Sequence, residues 1–484
     1  MVGTKARFST AKSLSGVLAL ALGLGGCSTL NSVNDSIAKA IAPSSIPAGQ
    51  EGSVSGFLGG VVADEPQAAL AGRAVLSAGG TAADAVTAMG FTLAVTLPSR
   101  AGLGSSGACL AYDPRPTGPG GGLPEAILFP ATAPANPGRA DRPAAVPMFA
   151  RCLFALQARY GKRPVETLIA PAEQKARFGV PISRALVRDL AVVAGPLSAD
   201  PGASAAFFAN GAPLGEGATL LQPELGSTLS QLRVAGVGDL YQGIMAKRLE
   251  DSMAAVGGGL AVSDLRNDLP RVASAFYIPG PGGDIISLFP APEAGGVAAA
   301  AAGQVLLQNG ANLEGAKQRA ISAAAAFQRG GVTPEELLKT PFPDAKLGPL
   351  PASTTFGAVD QNGGAVMCAV SMGNLFGTGR VAPGTGILMG ASPANKAQPL
   401  LSVVMLTNSN AHTFHGMSGG SGQDGAPVAA VGGLLDGLYG RMPATPPEPG
   451  RANVLVCPGY LPTNNKSCAF STDPRGFGLA TGSN

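Results

Sequence analysis

The sequence predicts an α+β or layered αββα domain, and a contrast along the chain supports this. Alanine-rich segments with helical spacing dominate before residue 350, and short β-branched, apolar runs lead after it. Hydrophobic residues make up 45% of the 484 residues, which is enough for a sizeable core. Gly (70) and Pro (41) are abundant without a repeating period, which indicates many tight turns and excludes collagen.

The helices are predicted to begin soon after "GFLGGVVADEP", where the folded part of the chain starts. Alanine-rich spacing predicts a first helix from Pro66 to Ala78. Thr81 followed by Asp84 resembles a capping box and predicts a second helix to about Leu97. Further helices are predicted over "AVPMFARCLFALQARYGK", "PVETLIAPAEQKARFG", "LYQGIMAKRLEDSMAAVGGG", "GGVAAAAAGQVLLQNG" and "APVAAVGGLLDGLYG".

The strands are predicted from short apolar runs rich in β-branched residues. Two of them precede residue 350, "ACLAYDP" and "DIISLFPAP". Three follow Thr355, namely "FGAVD", "AVMCAVSM" and "LLSVVMLT".

The amino-acid composition narrows the range of possible functions. A net charge of +3 with only 13% charged residues is too weakly basic to suggest a nucleic-acid partner. His occurs twice, and most hydrolytic triads and many metal sites need histidine. If the protein is an enzyme, we therefore expect a base other than histidine, and we expect neither a metal nor a cofactor.

The N-terminus predicts export. Residues 1–27 combine a basic start, the apolar run "SGVLALALGLGG" and "LGGC", which resembles a bacterial lipobox ending at Cys27. We expect Cys27 to be lipidated, residues 28–55 to form a polar tether, and the protein to be an outer-membrane lipoprotein on the periplasmic side. An ordinary secretory signal with a chance cysteine is the alternative.

Export makes disulfides possible. Cys457 and Cys468 flank "PGYLPTNNKS" and are the pair that we expect to bridge. Cys109 and Cys368 lie in apolar, strand-like runs, where we expect buried thiols.

Three motif matches carry little weight. "GLGSSG" (102–107) has a helix before it and a strand after it, the reverse of a dinucleotide site. "GMSGG" (416–420) has no histidine after Ser418, as a hydrolase elbow would require. "HTFH" (412–415) has no nearby carboxylate or cysteine in the sequence to complete a metal site.

The segment "LPASTTFGAVDQNGGAV" offers a nucleophile that needs no histidine. A chain cut before a Ser or Thr gains an α-amino group on that residue, with a pKa of about 8 that suits a general base. Such N-terminal hydroxyl nucleophiles are a known type. Ser353, Thr354 and Thr355 are the hydroxyl residues present here.

At this point the chain resembles the γ-glutamyltransferase (glutathione hydrolase) family of N-terminal-nucleophile hydrolases, over roughly Val61 to Gly440. The resemblance rests on ordered blocks: "ADEPQAALAGRAVLSAGGTAADAVTAMGFTLAVTLPSRAGLGSSGACLAYD", "RYGKRPVETLIAPA", "LYQGIMAKRLEDSMAAVGGGLAVSDL", "LFPAPEAGGVA" and "STTFGAVDQNGGAVMCAVSMGNLFGTGRVAPGTGILM". It implies a four-layer αββα sandwich, formed jointly by a large-subunit-like segment (56–352) and a small-subunit-like segment (353–484). Autocatalytic cleavage would separate the two, and the cleaved second chain would stay bound as a partner.

The resemblance also implies site residues. Aligned from Asp360 without a gap, the family's T-T-H-[FY]-x-V-V-D places the nucleophile on Ser353; with the missing His treated as a deletion, it falls on Thr354. Ser371 matches a helper hydroxyl eighteen residues on. Backbone N–H groups around Leu401 and Ser402 in "PLLS", with Gly419 and Gly420, correspond to the oxyanion site.

Departures from the family concern the substrate clamp. Pro130 in "FPATAP" stands at the Arg that holds the glutamyl α-carboxylate, and proline cannot form a bidentate pair. Asn395 falls near the acidic residue that holds the amino group, and Gly373 stands at the family's Asn. Arg100 and Arg139 are candidate replacements for the lost Arg.

Three functions follow as expectations. The first is a self-processing hydrolase that cleaves γ-glutamyl amides such as glutathione and passes the acyl group to water or an amino acid. The second is an amidase or acylase of the same fold with another acyl substrate. The third is a non-catalytic envelope lipoprotein.

Overall fold

Two antiparallel sheets stacked face to face form the centre of the fold. The structure is a computed structural model, and it describes residues 57–256, 258–347, 352–394, 398–441 and 446–483. These residues all belong to one compact unit. The predicted signal, tether and lipidation site at Cys27 lie outside the described residues.

The strands of the described chain comprise the strands of the two large sheets and three pairs of two-residue strands. In chain order they are β1 (Gly59–Ala63), β2 (Ser106–Tyr112), β3 (Glu125–Phe129), β4 (Val180–Pro181), β5 (Phe208–Ala209), β6 (Ala212–Pro213), β7 (Thr219–Leu220), β8 (Arg271–Ser274), β9 (Phe276–Pro279), β10 (Ile285–Leu288), β11 (Ser353–Asp360), β12 (Ala365–Ser371), β13 (Val381–Ala382), β14 (Ile387–Leu388), β15 (Ser402–Asn408), β16 (Thr413–Ser421), β17 (Arg451–Leu461), β18 (Ala469–Thr472) and β19 (Leu479–Ser483).

The helices lie mostly before residue 350, as the sequence predicts. They are α1 (Pro66–Ser77), α2 (Ala82–Thr96), α3 (Pro98–Ala101), α4 (Phe149–Tyr160), α5 (Val165–Phe178), α6 (Arg184–Ser198), α7 (Pro201–Phe207), α8 (Pro223–Ala235), α9 (Val237–Gln242), α10 (Ile244–Ala255), α11 (Val262–Asn267), α12 (Ala294–Gln308), α13 (Leu313–Arg329), α14 (Pro334–Lys339) and α15 (Ala426–Leu438). Short 3₁₀ turns occur at Pro119–Gly122, Pro281–Gly283, Gln423–Gly425 and Asn465–Ser467. Within the described ranges, no helix is both long and apolar enough to cross a bilayer.

Apolar side chains pack the two sheets against each other and pack helices on the outer face of each sheet. One sheet has the order β19-β1-β11-β12-β2-β3-β8, and the other has the order β18-β17-β16-β15-β10-β9. A core cluster with members such as Val359, Met367 and Val403 fills the space between the sheets. A second cluster packs α2, α4 and α5 on the first sheet, and a third packs α12, α13 and α15 on the other. The fold is therefore the four-layer αββα sandwich of the α+β class, and both sheets mix strands from before and after residue 353.

Local predictions hold where short-range chemistry decides the structure. Thr81 and Asp84 form the capping box that starts α2, and the side chain of Asp84 accepts the N–H of Thr81 at 2.9 Å. The segment "LYQGIMAKRLEDSMAAV" is wrong as one helix, because it divides into α9 and α10 at Gly243. The extended backbone of Gly243 lets Asp239 Oδ1 accept the N–H of Ile244 at 2.8 Å, and a Cβ at Gly243 would meet that oxygen at 2.2 Å.

The cysteines join strands. Cys457 within β17 and Cys468 just before β18 form the expected disulfide. The expectation of buried thiols at Cys109 and Cys368 is wrong, because these two residues form a second disulfide. Cys109 on β2 lies directly opposite Cys368 on β12, with the Cα atoms 4.0 Å apart. The sequence shows two apolar runs, but the register that makes these cysteines neighbours is set by the sheet.

Candidate active site

Ser353 opens β11 at the wall of a cavity of about 550 Å³. Its residue surface is 3% exposed, and it lies directly opposite Ser371 on β12. Among the described residues, none forms a hydrogen bond with Ser353 Oγ. A hydroxyl with no fixed partner at a cavity wall is available to a reacting carbonyl.

Ser371 contacts the peptide bond that precedes Ser353. Its hydroxyl donates a hydrogen bond to the carbonyl oxygen of Ala352 at 2.6 Å and accepts the N–H of Gly373 at 2.9 Å. A donor on a carbonyl oxygen stabilises the negative charge that forms there when a nucleophile attacks the carbon. The arrangement can therefore activate the Ala352–Ser353 peptide bond.

Thr354 occupies a different environment. It is fully buried and does not line the cavity, and its hydroxyl donates to Asp64 Oδ2 at 2.8 Å. Successive side chains of a strand point to opposite faces, so the side chains of Ser353 and Thr354 lie on opposite faces of the sheet. The geometry favours Ser353 for access to a substrate and gives the Thr354 hydroxyl a fixed partner.

Asp64 organises the start of β11, and sequence reasoning missed it. Asn453 on β17 donates to Asp64 Oδ1 at 2.8 Å and to both Thr355 O and Thr355 Oγ1, at 2.9 and 2.8 Å. The Ser421 hydroxyl lies 3.5 Å from Asp64 Oδ2. A signal was present, because Asp64 is a carboxylate directly after the apolar strand "GGVVA". No local pattern points to Asn453, which meets Asp64 only through the fold.

Arg100 reaches the same place from α3. It forms a bidentate pair with Asp189 at 2.7 and 2.6 Å, and Nη1 lies 3.5 Å from the carbonyl oxygen of Ser353. Burial by itself lowers the pKa of this guanidinium, but the charge and hydrogen bonds of Asp189 outweigh burial, so the pKa is raised. Arg100 is therefore a fixed cation beside the first residue of β11.

The cavity is richer in cations than in anions. Four arginines line it, against the two aspartates Asp64 and Asp189: Arg100, Arg188, Arg451 and Arg475. Three of them pair with carboxylates, whereas Arg188 lies with its guanidinium 5.2 Å from the Phe477 ring centre. Arg188 is exposed and is free to meet an anionic group.

The predicted oxyanion residues lie at the start of β15 and on β16, with Leu401 directly before β15. Ser402 is paired with Gly420 across these strands, and both Leu401 and Ser402 are buried. The Ser402 hydroxyl donates to the carbonyl oxygens of Gly295 and Leu400, at 3.4 and 3.2 Å. None of the four residues lines the cavity at Ser353.

Gly419 is the predicted oxyanion residue that meets β11. A Cβ at Gly419 would lie 2.9 Å from Thr355 Oγ1, so the two strands approach closely there. The structure therefore brings Gly419 next to Thr355, two residues along the strand from Ser353, whereas Gly420 faces Ala426 of α15.

The predicted clamp region is only partly described. Asn395 lies outside the described residues. Pro130 directly follows β3 and is half-buried, and Arg139 is exposed and does not line the cavity. Of the two candidate replacements for the lost Arg, only Arg100 is at the cavity.

The residues of the three motif matches lie in strands and packing contacts of the fold. Ser418 lies within β16, fully buried, and "GLGSSG" runs from α3 into β2. His415 Nδ1 contacts Asp284 Oδ2 at 2.6 Å, and its ring stacks on Tyr460 at 4.1 Å. In the described ranges, no cluster of three His, Cys, Asp or Glu could hold a metal ion.

The sequence matches the model of a known protein family. The family model "Gamma-glutamyltranspeptidase" matches residues 68–328, which is more than half of the chain. The protein belongs to this family. The matched range ends before Ser353.

Curated relatives match part of the chain. "Glutathione hydrolase proenzyme" of Bacillus subtilis (strain 168) is 32% identical over 43% of this chain and 38% of its own length. "Glutathione hydrolase 2" of Arabidopsis thaliana is 28% identical, over 53% and 46%. "Acylase ACY 1 proenzyme" of Pseudomonas sp. (strain SE83) is 30% identical, over 44% and 41%. The chain thus spans less than half the length of these relatives.

Solved structures extend the likeness to nearly the whole chain. The cephalosporin acylase from Bacillus halodurans matches with a TM-score of 0.73 and 19% identity, covering 91% of this chain and 99% of that chain. The γ-glutamyltranspeptidase of Helicobacter pylori matches with a TM-score of 0.51 and 23% identity, covering 60% and 89%. Because both structures are less than 25% identical to this chain, the matches establish the αββα fold alone.

Proposed function

We propose that the protein is a self-processing γ-glutamyltransferase-like hydrolase, with Ser353 as its nucleophile. One observation carries the proposal: the Ser371 hydroxyl lies 2.6 Å from the carbonyl oxygen of Ala352, the residue before Ser353. Family membership and the proenzyme names of two relatives support cleavage into two chains that remain together.

Self-cleavage follows from ordinary acyl-transfer chemistry. Ser353 Oγ attacks the carbonyl carbon of Ala352, and Ser371 stabilises the charge that develops on the oxygen. The C–N bond breaks, the nitrogen of Ser353 takes a proton, and an ester joins Ala352 to Ser353 Oγ. Water then hydrolyses the ester, which leaves a carboxylate on Ala352 and a free α-amine and hydroxyl on Ser353.

The same residue then acts on a substrate amide. The α-amine of Ser353 takes the proton of its own hydroxyl as Oγ attacks the γ-carbonyl carbon. The amide C–N bond breaks, the departing amine receives that proton, and the acyl group stays on Ser353 as an ester. Water or the amine of an amino acid then attacks the ester and releases the acyl group.

The substrate class follows from the family and the cavity. Glutathione and other γ-glutamyl amides are the proposed substrates, because two of the relatives are named as glutathione hydrolases. The excess of arginine at the cavity favours an anionic substrate, and Arg188 is the candidate for its carboxylate. Leu401, Ser402, Gly419 and Gly420 remain the proposed oxyanion residues, and Asn395 remains a proposed substrate-binding residue.

An acylase with another acyl substrate is the second candidate. Pro130 directly after β3 favours it, because proline cannot donate the paired hydrogen bonds of the family's Arg. The relative named "Acylase ACY 1 proenzyme" adds support. The catalytic steps at Ser353 would be unchanged, and only the acyl pocket would differ.

Two measurements separate these candidates. On a reducing denaturing gel, either enzyme should run as two fragments cut at residue 353, whereas an uncut chain would contradict both and favour a non-catalytic lipoprotein. A cleaved protein should release the chromogenic group of a γ-glutamyl anilide if the first candidate is correct. Cleavage without such turnover would favour the acylase.

We also propose the envelope location that the N-terminal sequence predicts. Cys27 would carry a lipid anchor that holds the protein on the periplasmic side of the outer membrane, with "LGGC" as the supporting sequence. Labelling with radioactive palmitate should mark the wild-type protein and not the Cys27→Ser variant. Equal labelling of both, or of neither, would contradict the anchor.

A further inference from the structure

Glu293 lines a second cavity that shares no lining residue with the cavity at Ser353. This cavity measures about 240 Å³ and lies between β9, α12, α13, α14 and the segment that follows β10. This volume is far above the roughly 10–15 Å³ that one water molecule needs, so the cavity can admit a small organic molecule. We call it the Glu293 cavity.

The side chain of Glu293 is a buried carboxyl that does not cap its helix. It is 8% exposed and occupies the N-cap position of α12, but its side chain accepts no capping hydrogen bond. Glu65 at the N-cap of α1 shows the contrast, since it accepts the N–H of Ala68 at 2.8 Å and the hydroxyl of Thr96 at 2.8 Å. Glu293 has no such partner among the described residues.

The walls around Glu293 are apolar and aromatic. Phe276, Phe289 and Phe327 line the cavity, together with two prolines, two alanines and a valine. The remaining wall residue is the exposed Glu335, and no Lys, Arg or His in the described chain lines this cavity. Burial alone raises the pKa of Glu293 to about 7.

We propose that the Glu293 cavity binds a small primary ammonium ion that carries an apolar or aromatic body. The ammonium group supplies the cation and the three donors that the buried carboxylate lacks. The faces and edges of three phenylalanine rings suit the body, and ring faces also attract a cation. The carboxylate at Glu293 thus gives the cavity its selectivity, and the aromatic wall gives it affinity.

The same walls exclude related ligands. A free amino acid would bring a carboxylate into a cavity that already holds Glu293 and has no cationic wall residue in the described chain. A neutral alcohol of equal size would fill the space without compensating the charge of Glu293. The preferred ligand is therefore a monoamine such as benzylammonium.

Calorimetric titration of the full chain with benzylammonium at pH 8 tests the proposal. We expect saturable binding, at least tenfold weaker binding to Glu293→Gln, and unchanged binding to Glu314→Gln, an exposed Glu on α13 that serves as the matched control. Benzyl alcohol should bind at least tenfold more weakly than benzylammonium. Absence of binding by the wild type, or equal affinity of wild type and Glu293→Gln, would overturn the proposal.

A second measurement needs no variant at Glu293. At pH 5.5 the carboxyl of Glu293 is protonated while benzylammonium stays charged, so wild-type affinity should fall at least tenfold from its value at pH 8. Glu335 is the other ionisable group that faces the cavity, and Glu335→Gln should preserve this pH dependence. Affinity independent of pH, or a pH dependence lost in Glu335→Gln, would contradict recognition by Glu293.

Discussion

The hydroxyl of Ser371 donates a hydrogen bond of 2.6 Å to the carbonyl oxygen of Ala352. The two strands that hold these residues pair with Ser353 directly opposite Ser371, so sheet register fixes the contact. The family resemblance allows cleavage before Ser353 or before Thr354. The carbonyl before Ser353 has the shorter side-chain donor contact, 2.6 Å from Ser371, against 3.5 Å from Arg100 to the carbonyl before Thr354. The 2.6 Å contact supports the proposed role of Ser371 as a helper residue in the precursor.

Removing that donor should slow self-cleavage. Ser371→Ala should lower the rate constant about 100- to 1000-fold, as loss of one donor to a developing oxyanion typically does. Ser371→Thr keeps the hydroxyl and should restore most of the rate. Timed reducing gels of the purified precursor measure the rate.

Ser418→Ala is the matched control, because Ser418 is also a buried strand serine and its hydroxyl has no partner in the described structure. It should cleave at the wild-type rate. Equal slowing in Ser371→Ala and Ser418→Ala would show a general packing effect and would contradict the role of Ser371.

The disulfide between Cys109 and Cys368 should join the two chains after cleavage, because the cut falls between these residues. The processed protein should therefore run as one full-length band without reductant and as two bands with reductant. Cys368→Ser should give two bands under both conditions.

The unprocessed variant Ser353→Ala should give one band throughout. Two bands from the wild-type protein without reductant would mean that the disulfide does not form.

The two candidate nucleophiles should respond differently to loss of their hydroxyl groups. Ser353→Ala should abolish cleavage, whereas Thr354→Val should retain it. Thr354→Val removes a buried hydrogen bond to Asp64, so its free energy of unfolding should fall by about 1–3 kcal/mol. Mass spectrometry of the fragments and urea unfolding measure the two effects, and the reverse pattern of cleavage would assign the nucleophile to Thr354.

Glu293 should make stability depend on pH. Its pKa is about 7 in the folded chain against an ordinary 4.5, so the folded chain holds this proton more tightly. The carboxyl therefore destabilises the fold progressively from pH 4.5 to pH 7, by up to about 3 kcal/mol above pH 7. Relative to wild type, Glu293→Gln should gain about that much stability between pH 4.5 and pH 8 in urea titrations. A difference that stays constant with pH would contradict a buried carboxyl.

Short-range chemistry made much of the fold predictable. The capping box of Thr81 and Asp84 and the strands around Ser353 needed only neighbouring residues to specify them. The break at Gly243 was missed because one Asp239 contact outweighs a continuous helical pattern.

The contacts that the sequence did not predict join residues that are far apart in the chain. Cys109 and Cys368 are 259 residues apart, and only the register of β2 and β12 makes them a pair. Asp64 and Asn453 are 389 residues apart, and they meet at the start of β11 because both sheets converge there. Homologous blocks implied Ser353 and Ser371, but not this carboxylate and amide beneath them.

The N-terminal residue of the smaller fragment tests the central claim most directly. Edman sequencing of that fragment, isolated after reduction, should read Ser-Thr-Thr-Phe and so place the cut between Ala352 and Ser353. A fragment that begins at Thr354, or a chain that is never cut, would contradict Ser353 as the nucleophile.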